Sequence, residues 1–425
     1  MSDAPVQIVF RNIHRHNSHT LAVYREFGGY QSVAKALTMA REDVIDEVKR
    51  SGVRGRGGAG FPAGLKWSFI PKEDSRPKYL VCNADEGEPG TCKDRDILRF
   101  DPHLLIEGMM IAAYAVGCEQ GYIYIRGEFY REAERLQAAV DEAYQAGLLG
   151  DNVLQQGIRF HLAVHRGAGA YVCGEETGLL ESLEGKKGQP RLKPPFPANI
   201  GLYDCPTVIN NVETLAAVPE IILRGGDWYA TLGVAKSSGT KLFSVSGHVN
   251  KPGNYEVELG IPLKTLINDY AGGVRGGWQR LKGVIPGGSS APILTADVCD
   301  TITMDYDALA KAGSMLGSGA VIVLDQSVCI VRAITRLSRF YRHESCGQCS
   351  PCREGTGWLA QLMARLESGQ GSMTDIDLLL DIGNNICGKT ICALGDAAAM
   401  PVMGAVKAFR DEFVFHVQHG RCMVG

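Results

Sequence analysis

Between residues 78 and 165, three short apolar runs alternate with two longer helical patterns, and this alternation constrains the fold more than any other feature of the chain. The runs are "KYLVC" (78–82), "GYIYI" (121–125) and "RFHLAVH" (159–165). Between them lie "HLLIEGMMIAAYAVG" (103–117) and "REAERLQAAVDEAYQAG", in which Ala133, Leu136, Val140, Ala143 and Tyr144 share one face and Gly147 closes the helix. Strand, helix, strand, helix, strand predicts a parallel sheet. Open parallel sheets bind ligands beyond the carboxyl ends of their strands. The polar segments "NADEGEPG", "RGEFY" and "RGAGAYVCGEE" follow the three runs and are expected to line one crevice.

The rest of the chain divides by pattern. Residues 38–51 have helical spacing in Val44, Ile45 and Val48, and a glycine-rich loop follows. From about 240, "TKLFSVSGHV", a Pro252-Gly253 turn, "NYEVEL" and "PLKTLINDYAGG" predict a small hairpin-plus-helix module. From about 328 helical spacing dominates: Ile330 to Leu337, Leu359 to Leu366, Ile376 to Ile382 and Val402 to Phe413, which predicts a four-helix bundle. The expected domains are 1–235, 236–325 and 326–425.

Composition excludes several classes. The chain has 425 residues, 45% hydrophobic and 21% charged, as expected of a globular protein with two or three domains. A net charge of −3 gives no general attraction to nucleic acid. The longest nearly apolar stretch, 108–118, falls well short of the ~20 residues a membrane-spanning helix needs. The first residues lack the apolar core of a secretory signal, carry Asp3, and are not Ser-rich as a transit peptide is. A reducing compartment is therefore expected, where 13 cysteines favour buried thiols and a metal site over disulfides.

The glycine loop, Gly55-Arg56-Gly57-Gly58-Ala59-Gly60, matches G-x-G-x-x-G, but a helix precedes it where the dinucleotide fingerprint requires a strand. In the "FPAGLKW" that follows, Phe61 is suited to stack on a flat ring and Lys66 to pair with a phosphate or a reduced flavin. Asp85, Glu86 and Glu88 cluster where carboxylates can accept from ribose hydroxyls or a ring N–H. Glu175 and Glu176 open an expected helix, where acidic residues also complement the helix dipole. Lys193 and Phe196 lie in the rigid "PRLKPPFP", and Asn210 and Asn211 in "INNVET" suit phosphate or ribose contacts as well as a turn.

Cys346, Cys349 and Cys352 form C-x-x-C-x-x-C, the local part of an iron–sulfur ligand set completed by a remote cysteine. Structural zinc more often uses two C-x-x-C pairs, and the chain has no second pair. Spacing leaves Cys387 and Cys392 both open as the remote ligand. Cys82, Cys92, Cys118, Cys173, Cys205, Cys299, Cys329 and Cys422 are scattered and read as buried small hydrophobes, which limits the expected metal chemistry to one cluster.

In order along the chain, "GRGGAGFPAGLKW", "NADEGEPGTCKD", "RGAGAYVCGEET", "RLKPPFP", "INNVET", "HESCGQCSPCREG" and "TICALGDAA" make it resemble the NADH-binding flavoprotein subunits of respiratory complex I. The resemblance covers about residues 25 to 415. It implies an α/β fold with a Rossmann-like FMN domain, a ubiquitin-like β-grasp module and a C-terminal four-helix bundle carrying one [4Fe–4S] cluster. It also implies NADH:quinone oxidoreductase activity, with hydride transfer from NADH to FMN and then single electrons to the cluster. The glycine loop with Lys66, Asn83, Asp85, Gly174, Glu175, Asn210 and Asn211 corresponds to FMN contacts, and Glu86 and Tyr171 are grouped with the cofactor contacts. Phe61, Phe69, Glu88, Glu176, Lys193 and Phe196 correspond to positions around NADH, with Glu88 and Glu176 in the catalytic role. The motif "TICAL" assigns the fourth cluster ligand to Cys392, and Cys387 is extra to the family pattern. The implied partners are a small [2Fe–2S] subunit and a large multi-cluster subunit of the same peripheral arm. The implied location is the cytoplasmic side of a bacterial inner membrane, or the matrix side in an organelle, with no direct membrane insertion. Related diaphorase subunits of hydrogenases and formate dehydrogenases often carry added domains for which this chain has no room.

Overall fold

The computed structural model describes residues 6–424; Asp3, which entered the leader argument, lies outside them. After two short helices, α1 (Arg41–Arg50) and α2 (Ala63–Ser68) flank the glycine loop. The first sheet then forms from β1 (Tyr79–Ala84), β2 (Gln120–Ile125), β3 (Gly150–Val153), β4 (Ile158–Arg166) and β5 (Thr207–Asn211). Its helices are α3 (Lys93–Phe100), α4 (Pro102–Val116), α5 (Tyr130–Gln145), α6 (Glu176–Leu183) and α7 (Val212–Arg224).

The strand order is β3-β4-β2-β1-β5; β4, β2, β1 and β5 are parallel, and β3 is an antiparallel edge. The three expected strands are present. The additions are β3 and β5, the latter with only three apolar or β-branched residues before its asparagines, too short a run to separate from a turn. Because β1 pairs with β2 on one side and β5 on the other, the order reverses at β1, and the switch point lies between the ends of β1 and β5.

Alternation divides β1 between two cores. Leu80, Cys82 and Ala84 enter the large core beneath α4 and α7. Val81 on the other face joins Tyr124, Ile209 and the α6 leucines in a second core, which also holds Cys352 and touches Cys346, Cys349 and Cys392. Helix α4 is buried nearly all round, which explains its almost unbroken apolar sequence, and it stops at Gly117 in the left-handed region (φ 76°).

The second sheet contains β6 (Thr240–Gly247), β7 (Gly253–Glu258), β8 (Leu281–Ile285), β9 (Leu294–Thr295) and β10 (Ala320–Asp325), in the order β9-β8-β10-β6-β7. The expected hairpin is the β6–β7 pair. A lone hairpin buries too little to be stable, and β10, parallel to β6, extends it into a sheet with its own core.

Five helices complete the chain: α8 (Ile330–Glu344), α9 (Ser350–Glu367), α10 (Met373–Ile386), α11 (Leu394–Ala408) and α12 (Arg410–His419). Where one helix was expected from Val402 to Phe413, the backbone leaves helical geometry at Phe409 (φ −132°, ψ 35°) and starts again. The Phe409 ring reaches toward Gly283 of β8, so docking on the second sheet accompanies the break. Glu256 of β7 accepts hydrogen bonds from the backbone N–H groups of Ile8, Val9 and Phe10, tying the N-terminal segment to that sheet.

Candidate functional site

The glycine loop is a narrow turn closed on itself. Arg54 and Pro62 form an antiparallel bridge, and the Gly55 N–H donates to Phe61 O at 2.8 Å. Gly60 has φ +64° and lies so near Tyr306 that a Cβ would approach its ring carbon to 2.5 Å. The loop lies against the end of β5: a Cβ on Gly57 would meet Asn211 Cβ at 3.0 Å, and the Arg56 N–H donates to Thr214 Oγ1 at 2.8 Å. Arg56 itself is fully buried, and its guanidinium donates to Ser238 O (2.8 Å), Thr240 O (2.9 Å) and the Tyr229 hydroxyl (3.3 Å). Its side chain anchors the loop to the second sheet, leaving the glycine backbone to face the switch point.

Around that point the chain ends of the strands converge. Asn83 donates to Gly174 O at 2.8 Å, joining the β1 segment to the one after β4. Asp85 is the residue beyond β1; its Oδ2 is buried without a partner. Burial lifts its carboxyl to about 7, with the Arg126 guanidinium opposing the rise. Glu86 turns inward and accepts from the Asp94 and Arg95 N–H groups, so it serves the start of α3, and burial raises it to about 7 as well. Asn210 accepts from the buried indole N–H of Trp67 at 2.8 Å. Asn211 caps α7 through Glu213 N and donates to Asp94 at 2.6 Å.

On the other side, Glu175 caps α6 by accepting from Thr177 N and Gly178 N. Glu176, the first residue of that helix, receives Lys66 at 2.8 Å and Lys193 at 2.7 Å, and Lys193 also reaches Glu175 at 3.0 Å. Phe61, Phe69 and Phe196 are 45%, 52% and 54% exposed, three aromatic faces presented to solvent. Glu88 is held from both flanks: the Tyr171 hydroxyl donates at 2.6 Å and Ser290 N at 2.8 Å. Tyr171 packs edge-on against Phe340 and Tyr341 of α8. Arg126, Ser290 and Tyr341 were not anticipated individually. "RGEFY" had marked the neighbourhood of Arg126, whereas nothing near Ser290 distinguishes it in sequence.

The cysteine loop abuts this crevice. Cys349 precedes α9, Cys352 lies in its first turn, and Gln189 donates to Cys346 O at 3.3 Å. Cys392 precedes α11 and feels the charges of Cys346, Cys352 and Glu175. As a free thiol it is pushed up to about 12, chiefly by burial, while the Leu394 N–H pulls it down. Cys387 instead faces Asp396 and packs with the helical core.

Known proteins match the chain over nearly its whole length. A curated protein from Rickettsia bellii, the F subunit of its NADH-quinone oxidoreductase, is 58% identical over 410 residues, covering 96% of this chain and 98% of that one. The chain belongs to the family of NADH-quinone oxidoreductase F subunits. The corresponding protein of Rickettsia felis is likewise 58% identical, over 95% of this chain and 96% of its own. The chain matches the Nuo51 FMN-binding domain at 48–220, the SLBB domain at 241–323 and the NADH-ubiquinone oxidoreductase-F iron-sulfur binding region at 332–416. A crystal structure of an NAD+-reducing [NiFe]-hydrogenase in the H2-reduced state superposes with a TM-score of 0.84 at 35% identity, over 94% of this chain and 67% of that one.

The residues of the chain fit both the flavin and the cluster. The orphaned Asp85 oxygen suits a ligand rich in hydroxyls, and the glycine loop lies beside it against Asn211. A single zinc about 2.3 Å from each sulfur would hold its sulfurs about 3.8 Å apart. No three of the four cluster cysteines bring their sulfurs within 4.8 Å of one another. Thiolates bound to separate irons of a cubane stand further apart, so the donor set suits [4Fe–4S]. No helix among the described residues is long and apolar enough to cross a membrane.

Proposed function

We propose that in this NADH-oxidising, FMN- and [4Fe–4S]-carrying subunit of an NADH-quinone oxidoreductase, FMN lies at the switch point between β1 and β5 and NADH enters beside α6. The glycine loop backbone (Gly55, Gly57, Gly58, Gly60), Lys66, Asn83, Asp85, Gly174, Glu175, Asn210 and Asn211 would hold FMN, with Glu86 and Arg56 fixing the loops that carry them. Phe61, Phe69, Phe196, Lys193, Glu88, Glu176 and Tyr171 would surround the nicotinamide nucleotide, with Cys346, Cys349, Cys352 and Cys392 on the cluster. The buried Asp85 Oδ2 without a partner carries this reading: a carboxylate oxygen at a strand end is costly to bury unless a ligand donates to it.

FMN, when bound, takes the two electrons of a hydride together and passes them on one at a time, as an iron–sulfur centre requires. The chain's own groups set the stage for that exchange. Lys66 and Lys193 keep Glu176 ionised and fixed. Tyr171 and Ser290 hold Glu88 in one orientation. The exposed phenylalanines offer ring faces that exclude water from a stacked partner. The core shared by β1, β2, β5, α6 and Cys352 supports a flavin side and a cluster side carried on the same packed elements.

The protein works as one subunit of a multi-subunit oxidoreductase. With one cluster in the chain, electrons must leave to another subunit, which supports iron–sulfur partners such as a small [2Fe–2S] and a large multi-cluster subunit; the cytoplasmic side of a bacterial inner membrane is the proposed location. The matched segments support a division into 1–235, 236–325 and 326–425, with the second sheet as a β-grasp module and the cysteine loop set in a four-helix bundle that α12 extends. Anaerobic titration of the purified chain with NADH tests the reading: flavin absorption bleaching in step with NADH, with about four irons per chain, is expected. A colourless protein holding zinc in place of iron would overturn it.

A further inference from the structure

Outside the crevice and the cluster loop, the described residues contain one further group of three metal-ligating side chains. Cys329, His416 and Cys422, all buried, bring two sulfurs and an imidazole nitrogen within 4.8 Å of one another. The scattered positions of these residues led to the expectation of inert buried thiols; the fold gathers them at one point. Cys329 caps α8, its sulfur accepting from Arg332 N at 3.4 Å. His416 lies in the last turns of α12, and Cys422 follows that helix beyond Gly420.

The histidine is oriented as a ligand. Its Nδ1 lies 3.1 Å from Leu366 O, and a carbonyl only accepts, so Nδ1 carries the proton and Nε2 the lone pair. Nε2 points at Cys329 Sγ, 3.2 Å away. A backbone carbonyl on the far nitrogen is how proteins commonly fix the tautomer of a metal-bound histidine. A tetrahedral zinc, about 2.3 Å from sulfur and about 2.0 Å from nitrogen, would hold those two atoms about 3.5 Å apart. The observed pair is within a few tenths of an ångström of that spacing. The neighbouring Glu412 is committed elsewhere, accepting from Ile330 N at 3.0 Å and pairing with Lys282 at 2.7 Å. Val424 O, 3.5 Å from Cys422 Sγ, or a water is left for a fourth position.

We infer that Cys329, His416 and Cys422 form a structural zinc site that pins the C-terminal segment to the start of α8, separate from the flavin and the iron–sulfur cluster. Two thiolates and an imidazole select a borderline-soft divalent ion such as Zn2+ over Mg2+ or Ca2+. Binding displaces the two thiol protons to solvent and leaves the neutral imidazole unchanged. The clamp acts on the helix that leads directly into the cluster loop.

Elemental analysis of the purified, flavin- and cluster-loaded chain tests this. About one zinc per chain is expected beside the iron, with a zinc-edge X-ray absorption spectrum fitted by two sulfurs near about 2.3 Å and nitrogen near about 2.0 Å. Cys422→Ser and Cys329→Ser should each lose that zinc at least tenfold, with iron and flavin at the unsubstituted level, while Cys118→Ser keeps it. The site is refuted if the loaded chain, incubated with ZnCl2 and freed of excess, holds less than a tenth of an equivalent, or if zinc survives both substitutions. A chain lighter by two hydrogens before reduction, with a Cys329–Cys422 disulfide mapped by peptide mass, refutes it equally. If a variant fails to fold, the zinc-edge spectrum of the unsubstituted chain decides alone.

Discussion

Lys66 Nζ stands 2.8 Å from one oxygen of Glu176, and Lys193 Nζ stands 2.7 Å from the other. Two cations, one from α2 and one from the proline-rich segment, thus converge on the first residue of α6. Burial alone would raise Glu176; the two ammonium groups outweigh it and hold the carboxyl at about 2. The ordinary value is 4.5, so the stabilisation from this pairing is complete above that pH and is lost only as pH falls toward about 2. Across a neutral assay range Glu176 is an anion.

Replacing Glu176 by Gln removes that anion and leaves both lysines without their carboxylate. The expected result is a drop of about tenfold or more in kcat/KM for NADH with an artificial acceptor, corresponding to roughly 1.4 kcal/mol of transition-state stabilisation. Flavin content, measured after acid release, should stay unchanged. Loss of FMN from this variant would contradict the place given to Glu176 beside the nicotinamide.

Asp85 titrates in the opposite sense. Burial raises its folded value to about 7 from an ordinary 3.8, so between those values the folded chain keeps a proton that the unfolded chain has released. Stability of the flavin-free protein therefore declines as pH rises through that window. Asp85→Asn removes the penalty: its midpoint of unfolding at pH ~8 should exceed that of the unsubstituted flavin-free chain by a few degrees. The same change should weaken FMN binding tenfold or more, since hydrogen bonds to charged groups contribute about 1.5–3 kcal/mol. Calorimetry and quenching of FMN fluorescence measure the two effects separately.

Cys392 shares a core with the cysteine triplet, and Cys387 does not. Cys392→Ser should abolish the EPR signal of the reduced cluster and lower the iron content, whereas Cys387→Ser should preserve both. The reverse pattern would exchange the ligand assignment.

Arg56 donates to two carbonyls and the Tyr229 hydroxyl from a fully buried position, where burial opposes its charge but Tyr229, Tyr306 and Glu213 favour it more strongly. Arg56→Met would strand those acceptors, and removing one member of a buried ionic network costs about 3–5 kcal/mol. A midpoint lowered by several degrees, with weaker flavin retention through the loosened glycine loop, is the expected outcome in a thermal scan with flavin release as the second signal.

What could be seen in the sequence depended on how local the information was. The parallel sheet was legible because the runs at 78–82, 121–125 and 159–165 alternate with helical spacing, and because connections of that kind force strands parallel. β5 escaped because five residues, three of them apolar or β-branched, carry no period. Glu86 looked like a ligand for the crevice, yet its two oxygens are taken by N–H groups at the start of α3, eight and nine residues on. A carboxylate serving a helix end and one serving a ligand have the same sequence signature.

The sequence by itself determined the cysteine triplet, the alternating strands and helices, and the family motifs, all of which lie within a few residues or a regular period. Tertiary structure alone decided which distant groups meet: Glu88 with Ser290, Lys66 with Glu176, and Cys329 with His416 across 87 residues. Such pairings depend on how buried faces of separate elements pack against one another, and no spacing along the chain encodes that distance.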